Sequence, residues 1–118
     1  MGRPIAMIEI ISSDHERAQH FYSELFDWKV NADPALGGYA LVDTQSEPGP
    51  VIGGIGPSMD VTDAGVKFYV RVDDLAATLD RAVRLGGTRV VEPAELPENY
   101  GSFAILADPD GNAVGLWA

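Results

Sequence analysis

The sequence contains no cysteine. That excludes a disulfide framework, thiolate metal sites and cysteine nucleophiles, and it is compatible with a reducing compartment. Basic residues are scarce: 8 Lys and Arg stand against 18 Asp and Glu, for a formal charge of −10. A nucleic-acid binder needs a basic footprint, so that class is disfavoured. A negative field attracts cationic ligands, or simply keeps a protein soluble. No apolar run reaches the roughly 18–20 residues that cross a bilayer. Residues 1–6 lack the charged-then-apolar layout of a signal peptide. The expectation is a cytoplasmic protein with neither a nucleic-acid nor a membrane partner.

What is present is ordinary globular material, with 46% apolar and 22% charged residues in a chain of 118. That length buries one real core and is too short for two independent domains. Met7–Ile11 is rich in apolar and branched residues and reads as a strand. Ser13 and Glu16 have the spacing of a capping box. From Asp14 to Trp28, residues Ala18, Phe21, Tyr22, Leu25 and Phe26 recur at helical spacing and predict one apolar helix face. Trp28–Val30, Tyr39–Val42 and Val51–Ile55 are shorter strand candidates between Pro- and Gly-containing turns.

The pattern then restarts. Val66–Val72 predicts a strand, Asp73 or Asp74 can cap a helix, and Leu75, Leu79, Ala82 and Val83 form its apolar face. Gly86-Gly87 supplies a left-handed stop. Thr88–Val91, Ser102–Leu106 and Ala113–Trp117 complete three more strands. Gly38-Tyr39-Ala40-Leu41-Val42-Asp43 answers the stretch from Gly101 to Asp108, and Gly53-Gly54-Ile55 answers Val114-Gly115-Leu116. A self-similar period of about 60 residues defines a βαβββ unit used twice. Module one covers residues 1–57, a linker about 58–65, and module two 66–118.

Three stretches resemble the vicinal oxygen chelate superfamily, which includes glyoxalase I, bleomycin-resistance proteins and extradiol dioxygenases. The first runs through Asp14-His15-Glu16-Arg17-Ala18 and Phe21-Tyr22-Ser23-Glu24-Leu25-Phe26-Asp27-Trp28. The second is Val70-Arg71-Val72-Asp73-Asp74-Leu75 with Gly86-Gly87, and the third is Asp108-Pro109-Asp110-Gly111-Asn112. The resemblance implies an α+β fold of two tandem βαβββ modules, forming curved mixed sheets around a shared cleft, often completed in a homodimer. These residues also have structural reasons of their own. Phe21, Tyr22, Phe26 and Trp28 would hold helix to sheet, and Asp108 to Gly111 form a tight turn.

Metal-using members of that superfamily place His, Glu or Gln on the first strand of each module and on the last strand of one or both. The matching positions here are Met7, Lys67, Gly54 and Gly115. A thioether is a poor ligand for hard ions, lysine is protonated near neutrality, and glycine has no side chain. The two histidines, His15 and His20, fall in the first helix without the i, i+4 spacing of a zinc pair, and read as exposed. The expectation is therefore no metal and no cofactor, without the Lewis-acid step on which glyoxalase and extradiol dioxygenase chemistry depends.

Strand alternation puts residues two apart on one face. Met7 and Glu9 then share a face, as do Lys67, Tyr69 and Arg71, and Trp117 joins Gly115. This lining suits a planar or partly anionic organic molecule held by stacking and a few polar contacts. In the other reading, Glu9 pairs with Arg71 or Lys67 and merely holds the modules together. Trp117 reads equally as a stacking platform and as a core or dimer-interface residue. Three functions follow: a small-molecule binding or sequestering protein; a lyase, isomerase or dioxygenase-like enzyme, metal-free or with an unusual ligand set, with Glu9 as general base; or a subunit whose cleft is filled by its own side chains.

Overall fold

The structure, a computed structural model, describes residues 2–47, 49, 51–58 and 65–118. Ten principal elements follow in order: β1 (Ile5–Ser12), α1 (His15–Phe26), β2 (Lys29–Ala32), β3 (Ala40–Asp43), β4 (Ile52–Pro57), β5 (Gly65–Arg71), α2 (Leu75–Arg84), β6 (Thr88–Glu95), β7 (Ser102–Ala107) and β8 (Ala113–Trp117). This is an α+β fold of two βαβββ modules, as the repeat implies. Most of the expected linker, residues 59–64, lies outside the described residues. The chain divides into two compact units with the break after Val66, and residues 2–6 group with the second unit.

In the first unit the strand order is β2-β3-β4-β1. β1 runs parallel to β4, with Glu9 opposite Gly54, while β3 is antiparallel to both β2 and β4. The second unit repeats the plan as β6-β7-β8-β5. β5 runs parallel to β8, with Tyr69 opposite Gly115 and Arg71 opposite Trp117, and β7 is antiparallel to both its neighbours. Joining parallel strands requires a long crossover, and the rest of each module, helix included, supplies it.

Ile10, Val42 and Ile55 form the core of the first unit, with Ala18, Tyr22, Trp28 and Val30 packed against it. In the second unit Val72, Leu75, Leu79, Ala104 and Leu116 form the core. Each core sits between its helix and one face of its sheet, so alternation sends the intervening residues to the opposite, open face.

The start of α1 differs from expectation. Asp14 caps α1, its side chain accepting from the Arg17 amide, while Ser12 Oγ accepts from the Asp14 amide. Ser13 is not the cap, because Asp14, one step on and as good a capping residue as serine, already accepts from the Arg17 amide. Asp74 caps α2 by accepting from the Ala77 amide. Gly86, at φ +100°, closes α2 as expected: Gly87 N–H donates to Ala82 O and Gly86 N–H to Val83 O, which is a Schellman arrangement.

The apolar face of α1 is only partly used. None of its residues is buried, and Phe21, Leu25 and Phe26 remain 54%, 58% and 51% exposed. Tyr22 and Trp28 stack at 5.7 Å with their planes 8° apart and carry the contact with the core. The aromatic glue expected of Phe21 and Phe26 reduces to edge and tilted contacts with these rings. The stripe is wider than the patch of small strands beneath it. Val83 of α2 is likewise exposed.

Candidate functional site

On the open face of the first module, β1 presents Met7 and Glu9, on the side away from core residue Ile10. Glu9 is only 6% exposed. Its Oε2 accepts a 2.6 Å hydrogen bond from the Tyr39 phenol, which answers the need of a buried carboxylate for a donor. Tyr39 enters β3, and its ring lies across β4 over two alternate glycines. A Cβ on Gly54 would overlap the phenol of Tyr39, and one on Gly56 would overlap the ring edge. The missing side chains are thus the space that the tyrosine occupies.

Sequence reasoning placed Tyr39 in a strand and assigned it no role. The signal was available in Gly54-Ile55-Gly56. Glycines two apart in a strand leave one face bare, and that marks a close approach by another group.

The second module repeats the device with a different strand. Tyr69 of β5 is buried, and its ring covers Gly115 of β8, where a Cβ would overlap the ring carbons. Val70 and Val72 pack on the helix side, so Lys67, Tyr69 and Arg71 share the open face, as alternation predicts. The Arg71 guanidinium carbon lies 4.8 Å from the centroid of the Trp117 ring. The half-buried Trp117 donates its indole N–H to the Tyr100 carbonyl at 2.7 Å. Gly101, at φ +95°, makes room for it, since a Cβ there would come within 3.0 Å of the indole nitrogen. Trp117 is therefore a fixed platform for a cation within its own module.

The turn from β7 to β8 is built as its sequence implies. Asp108 Oδ1 accepts from the amides of Asp110 and Asn112, and Oδ2 from the Asn112 side chain. These bonds, the Asn112 side chain first, hold the Asp108 carboxyl below the ordinary aspartate value, because each favours the charged form.

Of the two histidines, His20 is exposed. His15 is partly buried against Gly38, where a Cβ would lie 2.7 Å from its Nε2. Its exposed placement is thus corrected, because the absent side chain at Gly38 leaves room for the imidazole. Among the described residues, no cluster of three His, Asp or Glu side chains is placed to hold a metal ion, and no helix is long and apolar enough to cross a membrane. A depression of about 640 Å³ is lined by Phe26, Asp27, Trp28, Thr44, Gln45 and Ser46, and contains none of the sequence-predicted site residues.

A family model described as a glyoxalase-like domain matches residues 7–116. The chain belongs to the glyoxalase-like domain family. It is 34% identical to a glyoxylase-like domain-containing protein of Didymella fabae, over 92% of this chain and 88% of that one. The glyoxylase-named protein CFP32 of Mycobacterium bovis is 31% identical over 93% of this chain, which spans only 43% of that relative's length. Anthracycline biosynthesis protein DnrV of Streptomyces peucetius is 29% identical over 98% of this chain and 46% of its own.

Among solved structures, a glyoxalase/bleomycin resistance protein/dioxygenase superfamily member from Vibrio splendidus matches with a TM-score of 0.64 at 14% identity, covering 98% of this chain and 97% of that one. The Mn(II)-bound glyoxalase from Novosphingobium aromaticivorans matches with 0.65 at 15%, covering 99% of this chain and 40% of that one. Methylmalonyl-CoA epimerase from Mycobacterium tuberculosis gives 0.62 at 17%, covering 96% and 85%. These likenesses concern the fold.

Proposed function

We propose that this glyoxalase-like domain binds a small organic molecule, and that it does so without the metal ion of its metal-dependent relatives. The observation that carries the reading is the pair of tyrosine-roofed glycines. The last-strand positions that would carry metal ligands are Gly54 and Gly115, and in each case a tyrosine ring fills the place where a side chain would start. Their first-strand counterparts, Met7 and Lys67, bring a thioether and an ammonium. This donor set does not fit a hard or borderline divalent ion, and no step through a metal is derived for it.

What the open faces offer instead suits recognition: a carboxylate bonded to a phenol in one module, and two cations, a phenol and an indole in the other. Proteins as different as an epimerase and a Mn(II)-bound glyoxalase share this fold, so the choice among activities rests on side chains. Native mass spectrometry of the freshly purified protein, with elemental analysis of the same sample, tests the reading. A metal-free chain carrying a bound organic mass, in a homodimer, is expected. One Zn, Ni, Mn or Fe per chain would overturn it.

A second reading, catalysis with Glu9 as general base, draws on the burial of Glu9 and its short bond from Tyr39. A carboxylate and a phenol in contact form a proton-transfer pair. In any turnover assay the protein supports, Glu9→Gln at full activity eliminates that role.

A further inference from the structure

The open face of the second module carries charge of one sign. Its paired strands present Lys67, Tyr69 and Arg71 from β5, Phe103 and Ile105 from β7, and Trp117 from β8. The remaining paired positions on that face are glycine, alanine, valine or threonine. No carboxylate stands among them, in a chain of formal charge −10. The acidic residues of the module lie in its turns, on α2 and along β6, where Asp80 and Glu92 bind Arg89.

We infer that this face binds an apolar organic carboxylate, with Arg71 as the residue that selects the anion; the inference rests on the small-molecule reading above and narrows it. Arg71 is exposed, and among the described residues no ion pair is formed by it. Trp117 holds its guanidinium, and the Tyr100 carbonyl in turn holds the indole. Stacking uses the face of a guanidinium and leaves its N–H edge for an oxyanion. A planar fork matches a planar carboxylate in two parallel hydrogen bonds. Beside it, the half-buried Phe103 and Ile105 form an apolar floor for the body of the ligand. Fixing the arginine in advance reduces the conformational entropy lost on binding. The negative field of the whole chain argues for a cationic ligand, but it is screened within about 8–10 Å at ordinary ionic strength. The local cations therefore decide.

The test uses three probes with one skeleton: cinnamate, cinnamyl alcohol and cinnamylamine. Each is titrated into the full chain while the indole N–H of Trp117 is followed by proton–nitrogen correlation spectroscopy; a Trp28→Phe variant identifies the peak. Cinnamate is expected to shift that peak saturably and to bind about tenfold more tightly than the alcohol, with the amine weakest. Arg71→Gln is expected to abolish the preference for cinnamate, and Arg71→Lys to keep only part of it, since lysine retains the charge and loses the fork. Equal affinity for cinnamate and the alcohol, or a preference that survives Arg71→Gln, overturns the inference and leaves the small-molecule reading standing. Silence with cinnamate also overturns it. The mass of the purified protein then decides whether the wider reading falls as well: a bound organic mass retains it, and a bare chain removes both.

Discussion

The two modules share one topology and reach it with different side chains. In the second, α2 buries Leu75 and Leu79 and ends on a glycine in the left-handed conformation. In the first, α1 buries no residue and ends on Asp27 at φ 59°. Its attachment is aromatic and polar: Tyr22 stacks on Trp28, and Gln19 Nε2 donates to the carbonyls of Gly38 and Ile55 at 2.9 Å each. The same fold therefore tolerates a leucine anchor in one copy and a hydrogen-bonded amide in the other. What it fixes is the sheet, where the first strand always pairs beside the last.

The open faces differ in a parallel way. Each sets a tyrosine over a last-strand glycine, yet Tyr39 comes from the residue just before β3 and bonds Glu9, whereas Tyr69 comes from β5 itself. One copy thus presents an acid with a phenol, and the other a phenol beside two cations.

The largest expected effect lies in the helix anchors. Leu79→Ala, at a side chain with 0% exposure, should lower stability by ~2–5 kcal/mol in urea unfolding. Leu25→Ala, in the last turn of α1 and 58% exposed, should change it by no more than about 0.5 kcal/mol. Equal losses would break the comparison, because they would mean that the α1 flank is covered in solution.

Next come the roofed glycines. Gly115→Ala should be the costlier, at ~1–3 kcal/mol, because its Cβ would meet the ring of Tyr69 near the ring's attachment. Gly54→Ala meets the far end of Tyr39, which can swing aside, so its loss should be smaller. Replacing Tyr69 by alanine should then relieve Gly115→Ala, with a double-mutant coupling of about 0.5–3 kcal/mol. Strict additivity of the two changes would show that the ring is not what the alanine meets.

The smallest effect is electrostatic. The Asp108 carboxyl is held below its ordinary value of 3.8, so its folded pKa lies under its unfolded one. Its contribution to stability is complete above the unfolded value and disappears as pH falls through the folded one. Asp108→Asn should flatten the acid limb of the stability-against-pH curve and leave the neutral plateau level with pH. An unchanged acid slope in that variant would remove Asp108 from the account.

Much of this was legible in the residues. The two βαβββ periods, the Asp74 cap, the Gly86-Gly87 stop and the Asp108 turn all rest on interactions within a few positions of one another, which local pattern reads directly. Lys67, Tyr69 and Arg71 sharing a face also follows from a period of two. Tyr39 was missed because it contacts Glu9 from 30 positions away, and no local rule links them. The α1 stripe was overread for a related reason: periodicity shows that a face is apolar, not how much sheet lies beneath it.

By itself, then, the sequence determined the repeat, the element order, the Asp74 cap and the alternation of faces, because backbone geometry and short-range hydrogen bonds dictate these. The tertiary structure alone decided that tyrosine rings fill the space over Gly54 and Gly115, that Trp117 carries Arg71, and that the flank of α1 is left open. Each depends on which distant strands pair in which register, and register is settled only when a whole sheet and its core pack together.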